Sequence, residues 1–440
     1  MPYTTVTLGG AITDLSARLA DPSLVRWSTA ELTLYLQFAL RTFNTVANGH
    51  FRDTGVFDTT SGQAFYDLQT VIPALRGQTF AFSDLVTLVE YHLLEPPTDP
   101  WTGSKQFSIA DIGNALSRRR DTFLLETGMV QTRTTQVITP VMGGRFPLSE
   151  NVITIRRVAF QNTTGTVTPL HREDVWAFNH FKPTWVQNPG RAPLVPLGYS
   201  VGEVPPLTLQ IAPAPSDQGT LDLVSINRGP QWSPTLSRQV GIPDDWTWVI
   251  VFGALADLLS KDGLASDPSR AQYCQQRWEQ GLELAKRASI VWSARVNDVV
   301  VQVASLNDCD QFRVFWQGTT GRPTQMLTTG SDLVALRNVP DGIYGITVDV
   351  VRNAPVPVAS GDYLQIGPEL YDTILDYAES LALFKEGFDV IQSSMPLVER
   401  FYRTAGVSLN VDAASTPNRT ALVDQSKQDE RQTPRVEQTA

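Results

Sequence analysis

The longest apolar pattern in the chain spans residues 242–286, IPDDWTWVIVFGALADLLSKDGLASDPSRAQYCQQRWEQGLELAK. Trp246, Val249, Ile250, Leu255, Leu258 and Leu259 recur at helical spacing and make its first half apolar around most of the circumference. Pro243 and the Asp244–Asp245 pair suit a helix start, where a fixed φ and negative charge match exposed amides. Lys261 and Gly263 suit its end. Asp267-Pro268 opens a second helix as N-cap and first turn, running through Tyr273, Cys274, Trp278, Leu282 and Leu284. The stretch therefore predicts a helical hairpin, with Gly253, Ala254 and Ala256 leaving room for another helix. Trp246, Phe252, Tyr273 and Trp278 are its candidate packing and oligomer-contact residues. So apolar a hairpin is expected to be buried between an upstream helical layer and a neighbouring subunit.

Residues 1–24 read as a polar lead-in. Ser28-Thr29-Ala30-Glu31 has the form of a capping box, opening a helix that carries Leu32, Leu36, Ala39, Leu40 and Phe43 towards Asn48-Gly49. Residues 49–79 are mixed, with turns at Ser61-Gly62 and Arg76-Gly77. Ser83 caps a helix stopped by Pro96-Pro97, and Ser108 with Asp111 opens another that ends at Gly128.

From Met129 the period changes to two. TRTTQVITPV, NVITIRRVAF, PLTLQIAPAP and GTLDLVSIN predict an antiparallel β domain of four or five strands around an aromatic, Pro-rich loop at 171–194. A second β section follows the hairpin: DVVVQVAS, CDQFRVFWQ, SDLVALRNV and YGITVDVV, with Asp341-Gly342 as a turn. Two more helices are expected, one in IGPELYDTILDYAESLALFKEG and one over 394–402. Residues 411–440 are polar and predict disorder until a partner is bound.

These elements define an α+β fold: a helical bundle of long antiparallel helices with an inserted antiparallel β domain, plus a second β-plus-helical-hairpin unit. The divisions fall at 1–128, 129–241, 242–297, 298–410 and 411–440. The second unit has the form of an internal repeat. Residues 242–263 lie over 366–387 at an offset of 124, matching Ile250 to Ile374, Ala254 to Ala378, Leu259 to Leu383, Lys261 to Lys385 and Gly263 to Gly387.

Composition changes the picture in two ways. Charged residues make up 18% of the 440, below the usual ~25%, which fits a surface largely covered by partners. The net charge of −10 disfavours a protein that grips DNA by its phosphates, yet suits a surface past which DNA slides. The start, MPYTTVTLGGAITDL, has no secretory pattern, and no run reaches the ~20 apolar residues of a membrane span. Folding in a cytoplasm without membrane contact is expected.

Candidate chemistry is sparse. Phosphate-loop, dinucleotide, zinc-protease and serine-hydrolase motifs are missing, and Cys274 and Cys309 form no metal spacing. No cofactor or metal is expected. His92 reads as structural, whereas His171 and His180 share one loop with Glu173 and Asp174, carboxylates of the kind a glycan or cell-wall hydrolase would use. Asp308 and Asp310 lack the alternation of a calcium loop. Arg118, Arg119 and Arg120 on a helix and Arg156 and Arg157 on a strand are candidate partner contacts, for an acidic neighbouring ring or a nucleic-acid end. A solvated or salt-bridged face is the plainer reading of both. Three consecutive helical positions span about 300°, so the first three cannot share one surface.

STAELTLYLQFALRTFN, SENVITIRRV, PLTLQIAPAP, GTLDLVSIN, IPDDWTWVIVFGALADLLSKDG and SRAQYCQQRWEQG, in that order over residues 25–295, resemble bacteriophage head-to-tail adaptor (neck or connector) proteins. The resemblance implies a virion structural protein without enzymatic activity, forming a ring, commonly of twelve subunits, beneath the portal protein and around the DNA exit channel. It implies a bundle built from the helices at 28–47, 83–126, 243–263 and 268–290, with a downstream tail or nozzle protein as a further partner. The unit at 298–410 departs from smaller adaptors. A tail-tube, nozzle or collar component that binds tail fibres is the alternative.

Overall fold

Leu8–Arg18 (α1), Thr29–Val46 (α2), Phe82–His92 (α5) and Ile109–Thr127 (α6) supply the upstream helices, with one-turn helices at Leu68–Val71 (α3) and Pro73–Arg76 (α4) between them. The hairpin follows as Thr247–Leu259 (α7) and Pro268–Lys286 (α8), then Leu306–Phe312 (α9), Pro368–Leu383 (α10) and Phe388–Thr404 (α11). This computed structural model describes residues 3–47, 49–78, 80–94, 106–139, 144–176, 180, 195–202, 207–216, 218–232, 239–261, 266–312 and 316–406. Gly263, Pro96-Pro97, most of the 171–194 loop and the 411–440 tail lie outside the described residues.

One hydrophobic core joins α1, α2, α5, α6, α7, α8, α10 and α11. At its centre is α7, and every residue from 242 to 256 is buried. Gly253 shows why the packing is so close. A Cβ there would stand 2.6 Å from Trp278 Cε3 on α8 and 3.0 Å from Arg119 Cδ on α6. The hairpin's apolar surface is therefore covered within its own chain, and burial against a neighbouring subunit is not needed to explain it.

Several local expectations are corrected. Residues 8–18 of the lead-in are helical, with the Thr7 hydroxyl accepting from Gly10 N. Ser28 caps α2, but Glu31 does not reciprocate: its carboxylate takes Tyr35 Oη at 2.8 Å and Lys385 Nζ at 2.9 Å instead. The cap of α5 is Ala81, whose amide donates to Asp84. Ser108 with Asp111 forms the expected capping box, and Gly128 ends α6 at φ 60°. Asp244 and Asp245 precede α7 in a 3-10 turn and are buried, so they do not serve an exposed helix end. CDQFRVFWQ begins in α9 rather than a strand, which places Cys309 on a helix.

The inserted β segment has more strands than expected: Thr132–Ile138 (β3), Arg145–Pro147 (β4), Val152–Asn162 (β5), Val167–Pro169 (β6), His171–Arg172 (β7), Gly198–Val201 (β8), Thr208–Ala212 (β9) and Gly219–Asn227 (β10). Two four-stranded sheets, β3-β10-β5-β6 and β4-β9-β8-β7, share a core that includes Phe146, Val158, Leu209, Ile211 and Leu221. Alternation in LTLQIA puts Leu209 and Ile211 in that core.

A curled seven-stranded sheet has the order β1-β15-β11-β12-β13-β14-β2. Its strands are Arg52–Asp58 (β1), Phe65–Asp67 (β2), Val291–Val296 (β11), Val299–Ser305 (β12), Gln325–Thr329 (β13), Leu333–Arg337 (β14) and Gly345–Val351 (β15). Neighbours are antiparallel except β12 and β13. Both edge strands come from the mixed region at 49–79. The division at 297/298 falls in the β11–β12 turn, where Asn297 and Asp298 have φ of 46° and 65°. Residues 298–410 thus share a sheet with the N-terminal region and, through α10 and α11, a core with α2 and α7.

Candidate functional site

The four aromatic residues singled out on the hairpin lie within this chain's own packing. Trp246 is buried beside Phe123, ring centroids 6.2 Å apart. Phe252 is buried edge-on to Trp248 and Tyr273, and Tyr273 is half-buried against Phe384. Trp278 is buried between Phe123 and the Arg119 guanidinium, 5.0 Å from its ring centroid. These residues pack the fold. Of the four, Tyr273 alone is partly exposed.

The arginines separate in the same way. On α6 the expected fan is seen: Arg118 is 62% exposed, Arg119 17% and Arg120 0%. Arg118 and Arg119 both reach Asp257 on α7, at 2.6 and 2.5 Å, and hold its carboxyl below the usual range against the opposing effect of burial. Arg120 donates to the carbonyls of Pro230 and Gly229 and pairs with Asp121. Arg157, 7% exposed, grips Asp310 at 2.5 Å and Gln317 at 2.7 Å. Arg119, Arg120 and Arg157 are therefore intrachain clamps, which corrects their assignment as partner contacts. Arg118 and Arg156 remain exposed.

Of the other chemical candidates, His171 and Asp310 line one cleft with Arg156 and Arg157, while Asp308, Glu173, Asp174 and His180 lie outside its lining. Asp310 is occupied by Arg157 and the Trp316 indole, while Asp308 is exposed. Among the described residues no group of three or more His, Cys, Asp or Glu could hold a metal ion. Glu173 and Asp174 are exposed, and Asp174 accepts from Trp176 N in a local turn. His171 lies on β7 and His180 is exposed. His92 is buried, stacked on Tyr35 at 5.3 Å and edge-on to Phe384; burial, then Arg270 and Lys385, push its imidazole down to about 3. Cys274 is buried, and burial pushes its thiol well up.

Two buried ionic junctions had escaped sequence reasoning. In the first, Asp245 accepts from Asn44 Nδ2 at 2.5 Å and Ala354 N at 3.1 Å, while Asp244 accepts from Phe80 N. Nearby, Arg76 Nε reaches Asp332 at 2.7 Å, and its Nη1 donates to the Val351 carbonyl. Burial pushes Asp245 up to about 6, against the opposing hydrogen bonds and the charges of Arg41 and Arg76. The second junction is Glu31–Lys385, joining α2 to the end of α10. Their one sequence sign is charge inside an otherwise apolar context, which also marks an ordinary helix end.

No protein-family model and no curated protein sequence matches this chain. No helix among the described residues is long and apolar enough to cross a membrane.

Proposed function

We propose that the chain is a structural protein of a tailed-phage virion, a head-to-tail adaptor that forms a ring, twelve-membered as is common in the resembled family, beneath the portal protein. The observation that carries this reading is the packing of α2, α5, α6, α7 and α8 into one core, with the sheets β3–β10 inserted between α6 and α7. That packing supports the helical bundle which the resemblance over residues 25–295 implies. The finer architecture is then an adaptor bundle extended by the curled sheet and the α10–α11 hairpin.

On this reading the chain does no chemistry and binds no cofactor. An acidic balance of −10 lets DNA pass through the ring without adhering, because phosphates are repelled. The downstream partner is a tail or nozzle protein, and assembly takes place in the host cytoplasm. Residues 411–440 act as a docking strap on the portal. Co-sedimentation of full-length and 1–410 protein with portal rings tests both parts. Full-length protein is expected in the portal fraction and the truncation in the supernatant. Failure of the full-length protein to associate overturns the adaptor reading; equal binding by both removes the strap alone.

A further inference from the structure

Where the helical core, the paired sheets and the curled sheet meet there is a cleft of about 630 Å³, a size typical of ligand sites. Four cations line it, Arg156, Arg157, Arg172 and Lys286, against one carboxylate, Asp310. In a chain of net charge −10 this is a local reversal of sign.

The cations are not equally committed. Lys286 is shared by Glu283 at 3.1 Å and Glu126 at 3.4 Å. Arg156 lies against Gly128 at the carbonyl end of α6, where a cation offsets the helix dipole. Arg172 has no carboxylate partner among the described residues. Arg157 is the built element: it is 7% exposed, and Asp310 and Gln317 fix its Nε and Nη2. Its Nη1 makes no hydrogen bond and stands 3.6 Å from Asp222 Oδ2. That nitrogen is enclosed and turned to a carboxylate, so Arg157 braces the wall, and the cations open to the cleft are Arg156 and Arg172.

The remaining wall decides what kind of acceptor fits. Leu170, Tyr199 and Leu306 give it apolar patches, and Asn307 and Gln311 give it side-chain amides. That mixture suits a peptide, with side chains for the apolar patches and a backbone for the amides. A nucleic-acid strand would need a continuous cationic track, and here the open cations are two arginines. We propose that this cleft binds an acidic segment of a partner polypeptide, with the exposed Arg156 and Arg172 taking its carboxylates. The proposal rests on the cleft alone and stands or falls separately from the adaptor reading.

Fluorescence anisotropy with a fluorescein-labelled ten-residue peptide of alternating Glu and Ala tests it on the full-length protein. Matched arms use a Gln-for-Glu peptide and a ten-nucleotide oligo(dT). The acidic peptide is expected to bind, and to bind more weakly as salt rises. Arg172→Glu should weaken it about ten-fold or more, while Arg118→Ser, an exposed cation outside the cleft, leaves it unchanged. Arg156→Ser supplies a second exposed substitution, and thermal melts confirm that each variant is folded. Absence of binding, equal binding of the Gln peptide, or indifference to both Arg156→Ser and Arg172→Glu overturns the proposal. Tighter oligo(dT) binding that is lost in the same variants also overturns it, by assigning the cleft to nucleic acid.

Discussion

The hairpins α7–α8 and α10–α11 share a 22-residue alignment at an offset of 124, yet they do different physical jobs. Ile250 and Ile374 are both fully buried, as are Ala254 and Ala378. Away from these positions the equivalence breaks. Trp248 is wholly buried and donates its indole N–H to Thr45, whereas its counterpart Asp372 is exposed and pairs with Arg18. Lys261 is exposed beside Asp111, whereas Lys385 is buried on Glu31. Helix α7 sits inside the core and α10 forms one side of it. The sheets that precede the two hairpins also differ in strand number and order. Shared spacing fixes which residues face a core, while the surroundings decide what the rest must do.

Paired substitutions sharpen this contrast. Trp248→Ala should cost about 3–5 kcal/mol, as expected for a large side chain lost from a core. Asp372→Ala should cost at most about 1 kcal/mol, since an exposed ion pair contributes little. Urea unfolding of both variants is the check, and similar losses would remove the distinction between the hairpins. Lys385→Met should cost about 3–5 kcal/mol by stranding the buried Glu31 carboxylate. Lys261→Met should change stability by no more than about 1 kcal/mol.

The third comparison is with pH. Asp245 is raised to about 6 from 3.8, so the folded state holds its proton more tightly than the unfolded state. The resulting stabilisation is full below about pH 4 and is lost as pH rises through about 6. Its size is on the order of 3 kcal/mol. Asp245→Asn should remove that loss between pH 4 and 7 in urea titrations, because the amide oxygen can still accept from Ala354 N. The exposed counterpart Glu369, changed to Gln, should leave the loss intact. The smallest contrast is between equivalent positions: Ile250→Val and Ile374→Val should each cost about 0.5–1.5 kcal/mol. A difference of several-fold between them would mean that even the shared positions are packed unequally.

Periodicity made the helices of the core legible, because a stripe of Leu, Val and Phe at 3.6 spacing has few other uses. Capping was legible where Ser108 and Asp111 act on each other, and misread where Glu31 is drawn to a lysine 354 positions away. The curled sheet was the least legible element. Its edge strands, RDTGVFD and FYD, partner strands more than 260 residues downstream, a pairing that local pattern does not carry. The arginines show the same limit. Arg118, Arg119 and Arg120 read alike in sequence, and only the position of Asp257 and the Pro230 carbonyl separates an exposed cation from a buried clamp. The cleft beside Arg157 depends on three separate parts of the chain meeting, so no single motif marks it.

Electron microscopy of the purified full-length protein, alone and mixed with portal rings, tests the adaptor reading most directly. Rings of a single diameter with a central channel, stacking coaxially on the portal, are the predicted result. Particles that remain 48.5 kDa monomers at every concentration and ignore the portal would contradict it.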